Sequence, residues 1–504
     1  MTEPASFLVD PADVPGLRHA LSRLAGAGYS ERAVKERLGL GDLADLQWRL
    51  LPIYRSERLA DRDPLALAVD LFLLQGALPA DELSRLFPVS EREVLIRAGL
   101  LAIDETGSAR ARASLFPVGS RLVFSDHAWP ELPHPGYTAV PYDQVMGIGP
   151  DSRHLARCTP RRPFRAALDL CTGSGIQALL ASAHAEQALA VDINPRAVRC
   201  TRFNAQVSGA PNLEVVAGDL FAPAGGRSFD LITANPPFVP SPLDALQFRD
   251  GGRSGEDVLK PIVAGLPHHL APGGMAQIVT ELGERENEPL VHRLRQWLGG
   301  AAMDIHILRL EERAAGKYAV AHAKGDDYQA FLASIQQWAG NLRAQGYVRV
   351  VSLVISFQWS DPACGPPWER VDQSPPPPRD AGTEIDAVFA AERLVRHPHW
   401  QQLLKNSWLC SAGPIALLDA RVLGAELRAQ AKATLLGKAL TIEHQLDPLE
   451  REILGRMEGR IPAPDLIGRF RDLDVDEPTV MVAIRSLLRR QLVRILPVAP
   501  CRDS

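Results

Sequence analysis

A short apolar run that ends in an acid and a glycine-rich turn constrains this chain most. Residues 166–175 read Ala-Ala-Leu-Asp-Leu-Cys-Thr-Gly-Ser-Gly, and good helix formers follow at residues 176–181. This order predicts a buried strand, a tight turn and then a helix. Gly173 and Gly175 allow the backbone to pass close to a ligand, because glycine has no Cβ. The sequence therefore predicts a ligand site at this turn.

The acids around the turn narrow the choice of ligand. The dinucleotide fingerprint has three glycines and an acid about 20 residues later. Here Ala178 stands where a third glycine is expected, and acids occupy Asp169, before the turn, and Asp192, at the end of the next apolar run. Asp192 is well placed to accept hydrogen bonds from the two hydroxyls of a ribose. Taken alone, an ordinary strand–helix turn would give the same pattern.

Two later strands add further motifs at their carboxyl ends. Residues 213–217 lead to Gly-Asp-Leu at 218–220, and residues 229–234 lead to Asn-Pro-Pro-Phe at 235–238. In this order and spacing the motifs resemble class I S-adenosylmethionine-dependent methyltransferases. Within that class they are similar to the Asn-Pro-Pro-aromatic group, which methylates planar nitrogens. The resemblance implies an α/β fold with a Rossmann-like, seven-stranded sheet in which the last strand is inserted antiparallel. The alternation of strands and helices predicts that the first five strands are parallel.

The resemblance implies S-adenosyl-L-methionine as the cofactor and no metal. Asp169 would hold the turn or lie near the amino-acid moiety, Asp192 would take the ribose hydroxyls, and Asp219 would accept from the adenine amine. Leu220 or Phe221 would pack on the adenine ring. The full set of expected cofactor-binding residues is Asp169, Cys171, Thr172, Gly173, Gly175, Asp192, Ile193, Asp219, Leu220 and Asn235. Cys171 stands where the motif commonly has glycine, and we interpret it as a packing residue.

The expected catalytic residues belong to the Asn-Pro-Pro-Phe motif. The side-chain carbonyl of Asn235 and the backbone carbonyl of Pro236 can hold both protons of an NH₂ group and stabilise the charge that develops on nitrogen. The prolines keep these acceptors in place, and Phe238 can stack on the planar group. An inactive scaffold is disfavoured, because Asn235 and both acids are present.

The loop after this motif bears on the methyl acceptor. Residues 248–252 read Phe-Arg-Asp-Gly-Gly, and Gly255 follows. This loop looks like that of the release-factor glutamine methyltransferases, whose motif usually has Tyr in place of Phe238. We expect N-methylation of a protein glutamine. An exocyclic amine of an RNA base and a small molecule of specialised metabolism stay open as alternatives.

Composition limits the partners and the compartment. The 504 residues carry a formal net charge of −5, so no global basic field steers the chain onto nucleic acid. No apolar run approaches the roughly 18 residues of a membrane span. The six cysteines are scattered without the spacing of metal ligands, which fits a reducing cytoplasm. We therefore expect a cytoplasmic protein that has no membrane partner.

The chain is long enough for several domains, and we predict three. Residues 1–145 form a helical, winged-helix-like domain, which serves either in substrate recognition or as a cap packed on the catalytic domain. Residues 146–362 form the methyltransferase domain, and residues 363–504 form a proline-rich linker and a helical, winged-helix-like C-terminal domain. Residues 127–163 are expected to be a connector that passes the cofactor pocket, with Tyr142 or Met146 as candidate ligand contacts.

Two features of the C-terminal part have expected roles of their own. Residues 361–383 include four consecutive prolines and are expected to form a stiff, exposed linker. Three helices and a strand are expected after it, at residues 449–495. Arg485, Arg489 and Arg490 lie close to one face of the last helix, which suits either a contact with a polyanion or a solvated face.

Overall fold

The computed structural model describes residues 5–127, 141–243, 245–420, 430–457 and 459–497. The chain forms two compact units. The first comprises residues 1–156, 162–301 and 312–356, and the second comprises residues 157–161, 302–311 and 357–504. The predicted N-terminal and methyltransferase domains thus fall largely within the first unit. Their division into separate functional domains stays a prediction.

The N-terminal part of the first unit consists of helices followed by small antiparallel sheets. Its helices are α1 (Val14–Gly26), α2 (Glu31–Leu38), α3 (Leu51–Ile53), α4 (Pro64–Ala68), α5 (Ala80–Leu86) and α6 (Val89–Arg97). Its strands are β1 (Ala77–Leu78), β2 (Leu101–Ile103), β3 (Ala109–Ala111), β4 (Ser114–Val118) and β5 (Arg121–Ser125). One sheet has the order β1-β3-β2, and β4 pairs with β5. The winged-helix-like interpretation of this part stays a prediction.

A large parallel sheet carries the site. The strands along this part of the chain are β6 (Phe164–Leu170), β7 (Ala185–Asp192), β8 (Leu213–Ala217), β9 (Phe229–Ala234), β10 (Leu270–Arg285), β11 (Met303–Ala314) and β12 (Tyr347–Trp359). Within the first unit the order is β12-β10-β9-β6-β7-β8. Every pair from β10 to β8 is parallel, as predicted for the first five strands. The count of seven strands and the antiparallel insertion stay predictions.

Helices alternate with these strands: α7 (Pro150–Cys158), α8 (Ile176–Ser182), α9 (Pro195–Ser208), α10 (Leu259–His269), α11 (Leu290–Trp297), α12 (Ala315–His322) and α13 (Tyr328–Ala344). The expectation of a connector over residues 127–163 is wrong at α7. The many polar residues of α7 gave no clear helical pattern in the sequence. Residues 128–140 of that connector lie outside the described part of the chain. Residues 141–149 form a loop, as expected.

The N-terminal part shares a hydrophobic core with the sheet region. The rings of Phe7 and Phe124 lie 6.1 and 5.5 Å from the ring of Phe203 on α9. A buried ion pair joins Arg196 of α9 to Asp126, and the same guanidinium donates to the Ala5 carbonyl. Continuous burial of this kind is typical of a single folding unit, and it agrees with the interpretation of the N-terminal part as a cap.

The second unit contains a strand where a linker was expected. Strand β13 (Glu369–Gln373) pairs in parallel with β11, with Ile305 opposite Glu369. Trp368 and Ser374, at either end of β13, are buried. The expectation of an exposed linker over residues 361–383 is therefore wrong for this stretch. Exposed and half-buried side chains alternate along β13, but four of its five residues are charged or polar, so the sequence shows no hydrophobic alternation.

The rest of the second unit mixes helices and strands. The helices are α14 (Gly382–Arg396), α15 (Trp400–Lys405), α16 (Pro448–Gly455), α17 (Ala463–Gly468) and α18 (Glu477–Arg489). The strands are β14 (Ser407–Ser411), β15 (Ile415–Ala420), β16 (Gln430–Leu435), β17 (Glu443–Leu446), β18 (Ile461–Pro462) and β19 (Val493–Pro497). They form two sheets with the orders β15-β16-β17 and β18-β14-β19. The expected helical tail is thus wrong between β14 and β17, whereas α16, α17, α18 and β19 lie where the sequence predicted them.

The basic face of α18 is engaged within its own unit. Arg489 forms a bidentate ion pair with Glu392, with a shortest N–O distance of 2.7 Å. Arg490 pairs with Glu450 at 3.0 Å, and Arg485 lies over a tryptophan ring. These arginines hold α18 against neighbouring elements, which leaves little of their charge for a polyanion.

No helix in the described ranges is long and apolar enough to cross a membrane.

Candidate active site

A cavity of about 290 Å³ lies at the carboxyl ends of β6, β7, β8 and β9. Ligands bind at this edge in open α/β sheets. The residues that line it come mainly from the ends of these strands, from the loop before α7, from α7 and α8, and from the loop after β9. They include Tyr142, Gln144, Met146, Ser152, Asp169, Cys171, Thr172, Gly173, Gln177, Asp192, Ile193, Asp219, Leu220, Asn235, Pro237, Gln247, Phe248 and Asp250. Both candidate contacts of the connector, Tyr142 and Met146, are among them.

The glycine-rich turn uses three left-handed residues. Cys171, Gly173 and Gly175 have φ of 55°, 58° and 84°. A Cβ on Gly175 would lie 2.7 Å from the methyl carbon of Thr201, so this glycine permits close packing of α8 against α9. Gly175 does not line the cavity, and its contact with the cofactor stays a prediction. Cys171 lies where glycine would be unstrained, and burial raises the pKa of its thiol well above the usual value, which suits a packing residue.

Asp192 lies at the end of β7 and organises two backbones. Its Oδ2 accepts from the Gly173 amide at 2.8 Å, and its Oδ1 accepts from the Asn194 amide at 2.9 Å. Burial raises the pKa of this carboxyl, although both hydrogen bonds act in the opposite direction. Because each oxygen has further lone pairs, Asp192 can hold the turn and still accept from two hydroxyls.

Asp169 is buried at the end of β6 and is surrounded by donors. The Thr172 hydroxyl donates to its Oδ2 at 2.6 Å, the Ala178 amide donates to the same oxygen at 3.2 Å, and the Thr233 hydroxyl donates to its Oδ1 at 2.8 Å. Burial nevertheless raises its pKa to about 7, and the charge of Asp192 adds to this effect. The predicted roles of Asp169, holding the turn and facing the cofactor, are thus compatible.

The end of β8 contributes Asp219 and Leu220, which both line the cavity. Asp219 is exposed, and Leu220 has a left-handed backbone with φ of 44°. Phe221, the alternative partner for adenine, does not line the cavity; its ring stacks on His269 at 4.5 Å. Ile193, from the end of β7, lines the cavity and is 59% exposed. Leu220 and Ile193 are apolar residues at the ends of these two strands that an adenine ring could contact.

The Asn235 side chain reaches the cavity with its carbonyl available. Its Nδ2 donates to the Ser152 hydroxyl at 3.2 Å, and no residue that the structure describes donates to its Oδ1. Pro236 is buried and does not line the cavity. Phe238 also lies outside the lining; it packs against the cluster that contains Tyr318, Trp338 and neighbouring residues of α12 and α13. The catalytic roles of Pro236 and Phe238 stay predictions.

The loop after the Asn-Pro-Pro-Phe motif folds back onto it. The Val239 amide donates to the Arg249 carbonyl, and the Gly251 amide donates to the Val239 carbonyl, each at 3.0 Å. Gly251 and Gly255 face the backbone of the motif so closely that a Cβ on either would overlap it. This packing brings Phe248 to the cavity, and among the described residues Phe248 is the phenylalanine in the cavity lining.

Several lining residues were missed from the sequence. Gln144, Ser152 and Gln177 come from the supposed connector and from the helix after the turn, and they are 4% exposed each. The Oε1 atoms of Gln144 and Gln177 are buried, and no residue in the described part of the chain donates a hydrogen bond to them. Gln177 lies on the apolar face of a predicted helix, and glutamine is seldom buried. That position was the signal in the sequence that could have indicated a role for Gln177 in the site.

The charges of the cavity favour a cation over a nucleotide phosphate. Asp169, Asp192, Asp219 and Asp250 line it, and none of the described lining residues is arginine or lysine. A pyrophosphate would meet these acids without a counter-charge from the lining. S-adenosylmethionine fits better, because it carries a sulfonium and an ammonium, and because its hydroxyls and amine can donate to the acids and to the unpartnered amide oxygens.

Comparison with known proteins gives the class. Residues 146–299 match the family model described as the methyltransferase small domain. Residues 26–113 match a model described as Domain of unknown function (DUF7059). This match confirms the predicted resemblance to methyltransferases over residues 146–299.

The individual proteins that this chain resembles are more specific than the family model, because all three named here are glutamine methyltransferases. The chain is 36% identical to a release factor glutamine methyltransferase of Geobacter sulfurreducens over 141 residues, 25% of this chain and 49% of the relative. It is 39% identical over 130 residues to a ribosomal protein uL3 glutamine methyltransferase of Bradyrhizobium diazoefficiens, 23% of this chain and 40% of the relative. A uL3 glutamine methyltransferase of Bordetella pertussis is 28% identical over 284 residues, 54% and 84% of the two chains. The predicted resemblance to glutamine methyltransferases is confirmed, although the chain spans only about half the length of the first two relatives.

Proposed function

We propose that this chain is an S-adenosylmethionine-dependent methyltransferase whose acceptor is the side-chain amide nitrogen of a glutamine in a protein. The observation that carries the proposal is Asn235, which lines a cavity together with four acids and whose Oδ1 receives no hydrogen bond from any described residue. The similarity to glutamine methyltransferases of release factors and ribosomal proteins supports the choice of acceptor.

The chain would hold its cofactor through acceptors at two strand ends. Asp192 would accept from the ribose hydroxyls, Asp219 would accept from the adenine amine, and Ile193 and Leu220 would pack on the adenine ring. When bound, the cofactor supplies a methyl group that is activated for displacement by its bond to a sulfonium. The protein then has mainly to align the acceptor nitrogen with that methyl group.

The amide nitrogen of glutamine is a weak nucleophile because its lone pair is delocalised into the carbonyl. Asn235 Oδ1 and the Pro236 carbonyl accept the two N–H groups, which turns the lone pair towards the methyl group. The same two oxygens stabilise the positive charge that develops on nitrogen. Asn235 Nδ2 donates to the Ser152 hydroxyl, which leaves Oδ1 for the methyl acceptor.

An aromatic residue stacks on the planar acceptor, and we propose that Phe248 supplies this contact. Phe248 lines the cavity, whereas Phe238 packs on the cluster formed with α12 and α13. Phe238 then serves chiefly to seat the Asn-Pro-Pro segment.

The proposal is tested by incubating the purified chain with methyl-labelled cofactor and, separately, with the release factors and the ribosomal protein uL3 encoded by the same genome. We expect label in one of these proteins and, by peptide mass spectrometry, one added methyl group on a glutamine. The matched control is the same acceptor with that glutamine replaced by Leu. Transfer to RNA or to small solutes alone, from cell extract fractionated after labelling, would contradict a protein acceptor.

A further inference from the structure

The amide of Gln177 is a feature of the cavity that the proposed roles leave unexplained. Gln177 is the second residue of α8, lines the cavity and is 4% exposed. Its Nε2 donates to the Ser152 carbonyl at 2.7 Å, and its buried Oε1 receives no hydrogen bond from the residues that the structure describes.

The orientation of this amide is fixed by its partner. A backbone carbonyl can only accept, so an amide turned by 180° would bring its Oε1 against the Ser152 oxygen and lose the hydrogen bond. The unmatched group is therefore the carbonyl oxygen. A buried acceptor without a donor is unfavourable and rare in folded proteins, which indicates that a ligand supplies the donor.

The surroundings of Gln177 define which part of a ligand is near. The next residue, Ala178, donates its amide to Asp169, and Ser152 also accepts from the Asn235 side chain. Gln177 thus lies between the buried acid of β6 and the residue proposed to hold the methyl acceptor. Asp169 already receives three hydrogen bonds from protein donors, which leaves little of its capacity for a further donor.

We propose that Gln177 Oε1 accepts a hydrogen bond from the α-ammonium of the cofactor's amino-acid moiety. The inference rests on the proposed function and adds to it a subsite for a primary ammonium. The other donors of the cofactor have acceptors already, the ribose hydroxyls at Asp192 and the adenine amine at Asp219. The negative charge of Asp169 beside the subsite favours a cation, although Gln177 makes the direct contact.

Two nucleoside thioethers separate this contact from the rest of the site. S-adenosylhomocysteine carries the amino-acid moiety, and 5′-methylthioadenosine lacks it. We expect Gln177→Leu to weaken S-adenosylhomocysteine about 10- to 100-fold in calorimetry, the range for a hydrogen bond to a charged group. The affinity for 5′-methylthioadenosine should stay within about twofold of that of the wild-type chain.

Gln144→Leu is the matched control. Gln144 also donates its Nε2 to a backbone carbonyl and has an unpartnered Oε1. It follows Asp143, whose carbonyl accepts from Asn194, two residues after the proposed ribose acceptor. We expect this substitution to weaken both thioethers alike. Gln177→Met, which keeps the volume, repeats the measurement, with melting curves on every variant, and replaces Gln177→Leu if that variant fails to fold.

The outcomes separate the inference from the proposed function. An equal loss for both thioethers in the Gln177 variants, or no loss for S-adenosylhomocysteine, would overturn the inference and leave the cofactor assignment standing. A wild-type chain that binds neither thioether would overturn the cofactor assignment and the inference together.

Discussion

At the scale of single residues, replacing Asp192 is the most direct test of how the cofactor's ribose is bound. We expect Asp192→Ala to lower the affinity for S-adenosylhomocysteine by roughly 1–3 kcal/mol, because two ribose hydroxyls lose their acceptor in a buried place. Asp230→Ala is the matched control. Asp230 also accepts two backbone amides, those of Arg165 and Ala166, but it does not line the cavity. Calorimetry on both variants should show weaker binding for Asp192→Ala alone; equal affinities would remove Asp192 from the ribose site.

The pKa of Asp169 makes cofactor binding depend on pH. Burial raises that pKa to about 7 from 3.8, so ionisation of Asp169 weakens the fold: the stabilisation present below about pH 4 is lost as the pH rises through 7. A cationic ligand favours the ionised form. We therefore expect affinity for S-adenosylmethionine to rise up to about tenfold between pH 6 and pH 8, with proton release on binding.

The measurement is calorimetry in two buffers that differ in ionisation enthalpy. Asp169→Asn, which cannot titrate, supplies the baseline for ionisation of the ligand itself and of Asp192, whose pKa is also raised by burial. A pH dependence that persists unchanged in Asp169→Asn would assign it to one of those groups.

Asn235→Ala should separate catalysis from binding. Removal of one preorganised electrostatic contact typically lowers turnover about 100- to 1,000-fold, while the affinity for S-adenosylhomocysteine should change little. Asn235→Asp keeps an oxygen acceptor and adds charge, so its turnover should lie between those of the Ala variant and the wild-type chain. Single-turnover rates, cofactor titrations and melting curves test this. If both variants lose stability and cofactor binding together, Asn235 serves the loop and not the transfer.

How far the site could be predicted from the sequence depended on where each residue lies in the chain. Asp169, Asp192, Asp219 and Asn235 end apolar strands, and parallel strands bring their carboxyl ends to one edge, so these residues were predictable together. Gln144 and Ser152 could not be assigned in the same way. They reach the cavity through the tertiary path of the segment before β6, which leaves no periodic pattern in the sequence.

At the scale of elements, the loop between β9 and α10 depends on glycine. Gly255 has φ of 79°, and a Cβ there would overlap the Phe238 carbonyl oxygen. We expect Gly255→Ala to lower the free energy of unfolding by roughly 1–3 kcal/mol and to reduce methyl transfer, because Phe248 would move from the cavity. Gly226→Ala is the control, since a Cβ there meets nothing within 4 Å, and it should change stability by less than about 0.5 kcal/mol. Thermal melts and transfer rates compare the two; equal effects would mean that the loop tolerates the added methyl group.

The elements themselves were predictable where hydrophobic period and turn chemistry agreed. The five parallel strands from β6 to β10 follow apolar runs and lie where they were expected. Strand β13 was missed because its residues, Glu-Arg-Val-Asp-Gln, look solvated, and its pairing with β11 spans more than sixty residues of chain. Pairing between strands so far apart in the chain leaves no local signal in the sequence. The prolines on either side of β13 therefore led to the prediction of a linker.

At the scale of the whole molecule, the second unit is assembled from three separate stretches of chain, residues 157–161, 302–311 and 357–504. Strand β11 pairs with β13, and the Ile305 amide donates to the Trp368 carbonyl at 2.9 Å. The ring of Trp368 lies 5.0 Å from that of Phe389 on α14. Residues 302–311 and the C-terminal part therefore pack together within this unit.

We expect a chain that ends at residue 362 to lose cooperative folding. Without β13, strand β11 would expose an apolar edge that includes the buried residues Ile305 and Ile307, and such edges promote aggregation. Supplying residues 363–504 as a separate chain during expression should restore a cooperative melt. Trp368→Ala is a milder change to the same region, and it should lower the free energy of unfolding by about 3–5 kcal/mol. Size-exclusion chromatography and calorimetric melts test all three. If the chain of residues 1–362 melts cooperatively and binds S-adenosylhomocysteine as tightly as the full chain, the pairing of β11 with β13 contributes little to folding.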